Sequence, residues 1–310
     1  MKISAALAKE LSGLPERATV MVVGEVDTGK STLVALLARW FLSTGRKAAI
    51  VDADIGQADI GPPGFVSYGF PEQDFDSLKA VTRRASYMAG NTSPYGRGLN
   101  VAAGVQACVR DAKREGADVI VIDTSGLVRG VAGRQLKCAK AETVRPDLIV
   151  ILSTPGVETL AGHLEHLGFH VRRFLPIPGA RAKAAEERKN SRISRWNSYL
   201  GSNLRLIAVD LSRVKVCPWW GETRHVDTEY VPHGTVAAIQ DPRRPGFHIP
   251  CVWMVAGQTG AELQPSILVP QDVEGEPVDV ADGGPADGGP ELVWVSGYKL
   301  GLEGTRVVSA

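Results

Sequence analysis

The sequence predicts an α/β fold: a doubly wound, mostly parallel sheet followed by a small, mostly β C-terminal domain. Three observations carry that prediction. Short apolar, β-branched runs alternate with helical patterns up to about residue 211, the order of βαβ units. The first run opens into Gly24-Glu25-Val26-Asp27-Thr28-Gly29-Lys30-Ser31, which fits the G-x-x-x-x-G-K-[ST] phosphate loop, or P-loop. Past about residue 212, the pattern gives way to short β-type runs broken by Pro and Gly, with Trp219, Trp220, Trp253 and Trp294 among them. The expected domains are therefore 1–211, a P-loop NTPase-type unit, and 212–310.

Residues 5–14 read as a short helix packed on the sheet. Thr19-Val20-Met21-Val22-Val23 reads as a buried parallel strand. Ser31 to Leu42 follows as a helix, with Leu33, Leu36, Leu37 and Trp40 at helical spacing and Gly45 as its stop. Strand, glycine loop and helix suit phosphate, because the loop amides and the helix N-terminus present N–H groups to its oxygens. Ala48 to Asp52 is a second buried strand, ending in Asp52-Ala53-Asp54-Ile55-Gly56-Gln57. Its acids thus lie at the carboxyl edge of a parallel sheet, where ligands bind. Gly61-Pro62-Pro63-Gly64 breaks regular structure. Ala85 to Met88 is a further strand that runs into a polar turn, Gly90 to Gly96, and Leu99 to Glu115 is a helix closed by Gly116. Val119-Ile120-Val121-Ile122-Asp123 has the Walker B pattern, whose acid supports Mg²⁺. Val131 to Val144 reads as a helix and Leu148 to Leu152 as a buried strand. Leu204 to Val209 is expected as the last strand of the sheet.

Composition narrows the function classes. The chain has 310 residues, is 44% hydrophobic and carries a net charge of +1, so no global field advertises nucleic acid. No long apolar run suggests a membrane span, and the N-terminus lacks a signal-peptide core. Cys108, Cys138, Cys217 and Cys251 lie far apart without a C-x-x-C pair, which suggests reduced thiols in a cytoplasmic protein. His163, His166 and His170 read as a solvated helix end. Arg172 to Arg195 holds eight basic residues against Glu186 and Glu187, with Arg188, Arg192 and Arg195 on one helical face. Asp272 to Glu291, acidic and Gly/Pro-rich, reads as a solvated loop. A phosphate loop alone leaves GTPases, ATPase motors, switch ATPases and kinases open. No Asn/Thr-Lys-x-Asp segment is present for guanine. Glu25 stands where the cell-division and arsenite-pump ATPases carry an additional lysine.

Together these motifs resemble the polynucleotide 5′-hydroxyl kinases, the RNA 5′-kinases linked to tRNA splicing, mRNA 3′-end cleavage and ribosomal RNA processing. The resemblance covers about residues 20–205. Its marks are Gly24–Ser31 continuing into Thr32-Leu33, and Asp52–Gln57, similar to a D-x-D-x-G-Q element. Thr92-Ser93-Pro94 resembles a "clasp", Ile122–Gly130 an I-D-T-x-G-W-x-x-G stretch, and Arg188–Tyr199 an arginine-bearing "lid" at about 180–200. Such members often carry a β domain before the phosphate loop, whereas about twenty residues precede it in this sequence.

The resemblance implies ATP (or another NTP) with Mg²⁺, and a single-stranded RNA or DNA 5′ end as partner. Gly24 through Thr32 would bind the nucleotide, with Lys30 on the β- and γ-phosphates. Ser31, Asp54 and Asp123 would serve the metal. Asp54 is expected to take the proton of a 5′-hydroxyl, a task that suits a positioned carboxylate. Asp52 is expected on the opposite face, with a structural or indirect metal role. Arg188 and Arg192 would act as built-in arginine fingers, and Gln57, Thr92, Ser93 and Pro94 would hold the acceptor. Leu127 replaces the tryptophan of the I-D-T-x-G-W stretch, and Trp196 is a candidate substitute, with core packing as its other reading. A nucleotide-dependent binding module without turnover and a small-molecule kinase are the alternatives.

Overall fold

The first strand, β1 (Ala18–Gly24), is buried along its whole length, because parallel strands lie on both sides of it. The computed structural model describes residues 3–72, 74–201, 204–209, 211, 214–219, 231–255, 265–270, 291–303 and 306–309. β1 pairs in parallel with β5 (Val119–Thr124) and with β6 (Leu148–Leu152). β5 also pairs in parallel with β2 (Ala48–Ala53), and β6 with β7 (Val171–Phe174). The order β7-β6-β1-β5-β2 makes β1 the strand from which the chain winds both ways, so a crevice opens at its carboxyl end.

Period-two alternation then decides the two cores. Val20 and Val22 face one layer with Leu33, Leu37 and Phe41 of α2 (Lys30–Ser43), and with Leu7 and Leu11 of α1 (Ala5–Ser12). Met21 and Val23 face the other. That layer is built by α3 (Gly98–Arg114), α4 (Gly130–Val144) and α5 (Glu158–His166) through Val105, Leu136 and Leu164. α5 ends at His166, so His163 and His166 lie in the last turn of a short helix. No group of three potential ligands suited to a metal occurs among the described residues.

Three elements depart from expectation. The chain after the Gly61–Gly64 break forms a strand, β3 (Phe65–Phe70), antiparallel to β2 and to β4 (Thr82–Met88). Arg172 and Arg173, which open the basic run, lie on β7, away from the helix that carries Arg188, Arg192 and Arg195. Arg172 pairs with Glu10 at 2.9 Å, and Arg173 pairs with Glu158 at 3.0 Å and with Glu165. Two of the run's eight basic residues are thus neutralised by acids outside it. Third, β8 (Leu204–Ala208) is not the last strand of the parallel sheet. It pairs antiparallel with β12 (Pro265–Pro270) in the C-terminal region.

That region contains β9 (Val214–Pro218), β10 (Thr235–Gln240), β11 (His248–Val255), β13 (Glu291–Lys299), β14 (Gly301–Glu303) and β15 (Arg306–Ser309). It joins the main sheet where β11 meets β4 at the His248–Ser86 pair. There the Met88 amide donates to His248 Nδ1 at 3.2 Å, and burial pushes the imidazole down to about 4. Trp219, Trp294 and Tyr87 surround that ring edge-on. Trp219 and Trp253 therefore serve packing, whereas Trp220 and residues 272–290 lie outside the described residues.

The C-terminal strands also carry α6 (Ala185–Leu200). Trp196 and Leu200 are buried against Val236, Val252 and Leu268, and the Asn197 side chain makes two 2.9 Å bonds with the Val307 backbone. Among the described residues, no helix is long and apolar enough to cross a membrane.

Candidate phosphoryl-transfer site

The phosphate loop is held closed on itself. Lys30 Nζ donates to the Glu25 carbonyl at 2.6 Å, and Thr28 Oγ1 donates to the same oxygen at 2.9 Å. Gly29 caps α2 at φ 89°, a region that disfavours a side chain. A Cβ there would also lie 2.6 Å from Ile177, whose amide donates to the Thr28 carbonyl at 3.1 Å. The segment leading into α6 thus lies across the loop. Glu25 ties the loop to its neighbours, because its carboxylate accepts from Arg129 Nε and from Thr154 Oγ1. The Arg129 bond first, then the Thr154 bond, holds this carboxyl below its ordinary range.

Two aspartates stand side by side at the carboxyl edge, since Asp52 and Asp123 are in register on β2 and β5. Both are almost fully buried. Asp52 organises the loop that follows it: Asp54 N donates to Oδ1 at 3.0 Å, while Asp59 N and Ile60 N donate to Oδ2 at 2.6 and 2.9 Å. Burial, then the Asp123 charge, pushes the Asp52 carboxyl well above the carboxylate range. Asp123 is pushed up to about 6 by burial, opposed by a hydrogen bond from Ser31 and by the Lys30 charge. Its Oδ1 is buried without a partner among the described residues.

Asp54 lies one residue past the end of β2, and its Oδ1 accepts from Gly56 N and Gln57 N, each at 3.1 Å. The expected reason for the separation of Asp52 from Asp54 needs correction. Residues two apart on a strand share a face; these two part because the strand ends at Ala53 and Asp54 opens a turn.

The clasp abuts that turn. A Cβ on Gly56 would sit 2.8 Å from the Thr92 carbonyl, so only glycine allows this approach. Ser93 N donates to Asn91 Oδ1 at 3.0 Å, which bends the chain ahead of Pro94. Gln57 Nε2 donates to the Gly56 carbonyl at 2.8 Å and to the Arg188 carbonyl at 3.3 Å. Its Oε1 is buried without a partner among the described residues.

The three arginines of α6 go to three places. Arg188 Nη2 donates to Asp27 Oδ2 at 2.6 Å, and the Lys183 amide donates to the same oxygen at 3.0 Å, so the helix is latched to the phosphate loop. Arg192 lies beside Tyr298. Burial pushes that phenol up to about 12, against the arginine's charge and hydrogen bond. Arg195 donates to the Asp59 carbonyl. The helix starts at Ala185, where Glu187 Oε2 accepts from the Ala184 amide at 2.8 Å and Glu187 pairs with Arg181 at 2.6 Å. Trp196 is buried, so its packing reading holds and it offers no face to a ligand. Leu127 is half-buried against the core.

Sequence reasoning missed two fully buried lysines on α4. Lys137 Nζ donates to the Ser125 carbonyl at 2.6 Å and to Ser125 Oγ at 3.1 Å, which fixes the turn after Asp123. Lys140 Nζ is buried without a hydrogen bond. Burial pushes its ammonium down to about 8, opposed by the charges of Asp54, Asp123 and Asp52. The signal was available: both lysines fall at three- and four-residue spacing with Gly133, Leu136, Ala141 and Val144, the buried stripe of the helix.

A glycine loop between a central parallel strand and a helix, with a buried aspartate on the adjacent strand, defines a P-loop nucleotide-binding protein. The chain belongs to the family described as mRNA cleavage and polyadenylation factor CLP1 P-loop, whose family model matches residues 24–202. A polyribonucleotide 5′-hydroxyl-kinase of Thermococcus kodakarensis is 38% identical over 198 residues, which cover 64% of this chain and 55% of the relative. One of Pyrococcus horikoshii is 34% identical over 217 residues, covering 67% and 56%. The chain thus spans about half the length of the curated relatives it matches. A solved Clp1p–Pcf11p complex shares the fold, with a TM-score of 0.68 at 13% identity, over 95% of this chain and 77% of that one.

Proposed function

We propose that the chain transfers the γ-phosphate of ATP to the 5′-hydroxyl end of single-stranded RNA, with DNA as a further acceptor. The observation that carries this reading is the turn that Asp54 opens: its Gly56 packs against the Thr92 carbonyl, and its Gln57 reaches the carbonyl of Arg188, whose side chain is paired with Asp27 of the phosphate loop. Phosphoryl transfer needs an attacking oxygen in line with the γ-phosphorus and charge neutralised around it. Asp54 accepts the proton as the 5′-oxygen bonds to phosphorus and the bond to the ADP oxygen breaks. Lys30 neutralises the β- and γ-oxygens. Thr92 and Ser93 hydroxyls hold the first acceptor phosphate, Pro94 fixes their bend, and Gln57 orients the end nucleotide.

The residues fit a magnesium ion. Ser31 bonds Asp123, and the orphaned Asp123 Oδ1 offers a hard oxygen to a cation that binds through few carboxylates plus phosphates. Bound there, the ion would draw charge from the phosphate oxygens; Thr32 assists and Asp54 lies within the same crevice. Arg188 would exchange Asp27 for the γ-phosphate, and Arg192, one turn further along α6, would act beside it. The relatives' name supports the acceptor class, and the unpaired thiols support a cytoplasmic setting.

The test is transfer from γ-labelled ATP to 5′-hydroxyl RNA and DNA oligonucleotides across several metals. No labelled product with either acceptor would overturn the reading. ATP retained without product would point to a binding module, and competition by nucleosides alone to a small-molecule kinase. A second expectation concerns the latch. Asp27→Asn keeps an oxygen for the Lys183 amide but weakens its hold on Arg188, which becomes freer for phosphate. The pair is part-buried, and ion pairs at the upper end of the surface range are worth about 1 kcal/mol, so the ATP concentration for half-maximal rate should fall roughly fivefold. An unchanged or raised value would show that the pair does not compete with nucleotide.

A further inference from the structure

In the acceptor site proposed above, Thr92, Ser93 and Gln57 offer hydrogen-bonding groups but no aromatic face to a base. Leu127 is half-buried in the core and Trp196 is fully buried. Tyr95 differs from both. It directly follows the Thr92-Ser93-Pro94 clasp and is 63% exposed. Its backbone is nevertheless held: Tyr95 N donates to Ser93 Oγ at 3.4 Å, and Arg97 N donates to the Pro94 carbonyl at 3.1 Å. The held backbone thus fixes where the solvated ring stands, directly after the clasp.

Its surroundings extend the surface. Leu99, on the first turn of α3, is 84% exposed, and Val131, on the first turn of α4, is 62% exposed. The two helices pack together, with Gly98 facing Leu136 across the seam. Leu99 follows the clasp by five residues, so an exposed apolar side chain opens the helix that the clasp leads into.

We propose that Tyr95 is the base platform of the acceptor site, on which a nucleobase near the 5′ end of the strand stacks. This inference rests on the polynucleotide reading of the same site. An aromatic face accepts every base, so the platform would favour a base-bearing acceptor over a free sugar without reading its sequence. It would act on acceptor binding and leave the chemical step to Lys30 and Asp54.

The experiment compares wild type with Tyr95→Ala and Tyr95→Phe in the full chain, using a 5′-hydroxyl RNA oligonucleotide and a set in which single nucleotides are abasic. Both transfer kinetics and oligonucleotide binding by fluorescence anisotropy are read. Stacking is worth about 1–3 kcal/mol per base, so Tyr95→Ala should raise the acceptor KM and Kd about 5- to 150-fold. The kcat, the KM for ATP and the thermal midpoint should stay at wild-type values, and Tyr95→Phe should bind like wild type. One abasic position should weaken wild type by a similar factor and Tyr95→Ala hardly further. Equal binding by wild type and Tyr95→Ala would overturn the platform, as would equal losses in Ala and Phe. Transfer by wild type with an unaffected Tyr95→Ala rejects the platform alone. Binding that depends on Tyr95 without any transfer keeps the platform and rejects the kinase reading. Neither binding nor transfer by wild type rejects both.

Discussion

Asp54→Asn is expected to lower phosphate transfer by about 10²–10⁴-fold, the range that general-base catalysis supplies, while ATP binding stays within about twofold of wild type. The substitution is chosen on geometry. Asp54 Oδ1 accepts the Gly56 and Gln57 amides, and the asparagine carbonyl can accept both. The turn therefore survives, with Gly56 still against the clasp and Gln57 still reaching the Arg188 carbonyl. What is lost is an oxygen basic enough to take a proton. Lys30, Ser31 and the loop amides are untouched, so the triphosphate keeps its cradle. Asp54→Ala removes the turn's acceptor as well and should impair acceptor binding together with rate. Single-turnover transfer and equilibrium ATP binding on the two variants separate these effects. Near wild-type transfer by Asp54→Asn would mean that another group, or solvent, takes the proton.

The site is legible in sequence wherever local pattern and chemistry coincide. The apolar run before Gly24 could become only a buried strand, and the glycines after it required a loop, so the phosphate cradle followed. Asp123 was legible for the same reason, as a charge ending four apolar residues. Long-range partners were not. Nothing local to Arg172 and Arg173 announces Glu10, Glu158 and Glu165, so a segment that reads as a basic surface becomes an ion-paired edge strand. β3 was hidden by its antiparallel pairing and the Gly-Pro break before it. The three arginines of α6 share a helical face, yet the side chains meet Asp27, Tyr298 and Asp59 because three separate elements border that face. Lys137 and Lys140 were passed over because lysines are almost never buried unless paired. Their position in an apolar stripe outweighed that rule here.

Asp123→Asn should abolish metal-supported transfer and, in metal-free protein, make the fold more stable at neutral pH. In the folded chain this carboxyl is pushed from 3.8 to about 6. A group whose pKa rises on folding contributes stability that is full below the unfolded value and is lost as pH rises through the folded one. Asp123 therefore helps the fold near pH 3 and loses that help between about pH 4 and 6. Above that window the buried charge, with Oδ1 unpartnered and the Asp52 carboxyl beside it, is a net cost to the fold. Asparagine has nearly the same shape and no charge. The metal-free variant should thus unfold several degrees above wild type at pH 8, with the gain shrinking as pH falls below about 6. Wild type should recover the difference when Mg²⁺ and nucleotide are added, because a bound cation satisfies the same oxygen, and the variant should recover less. Transfer should drop by at least about 10³-fold, since the charge stabilisation supplied by such an ion amounts to several kcal/mol. Thermal unfolding of both proteins between pH 4 and 8, with and without Mg²⁺ and nucleotide, reads each arm. A variant less stable than wild type at pH 8, or one that gains as much from Mg²⁺ and nucleotide, would show that Asp123 is a structural acid and that the metal sits elsewhere.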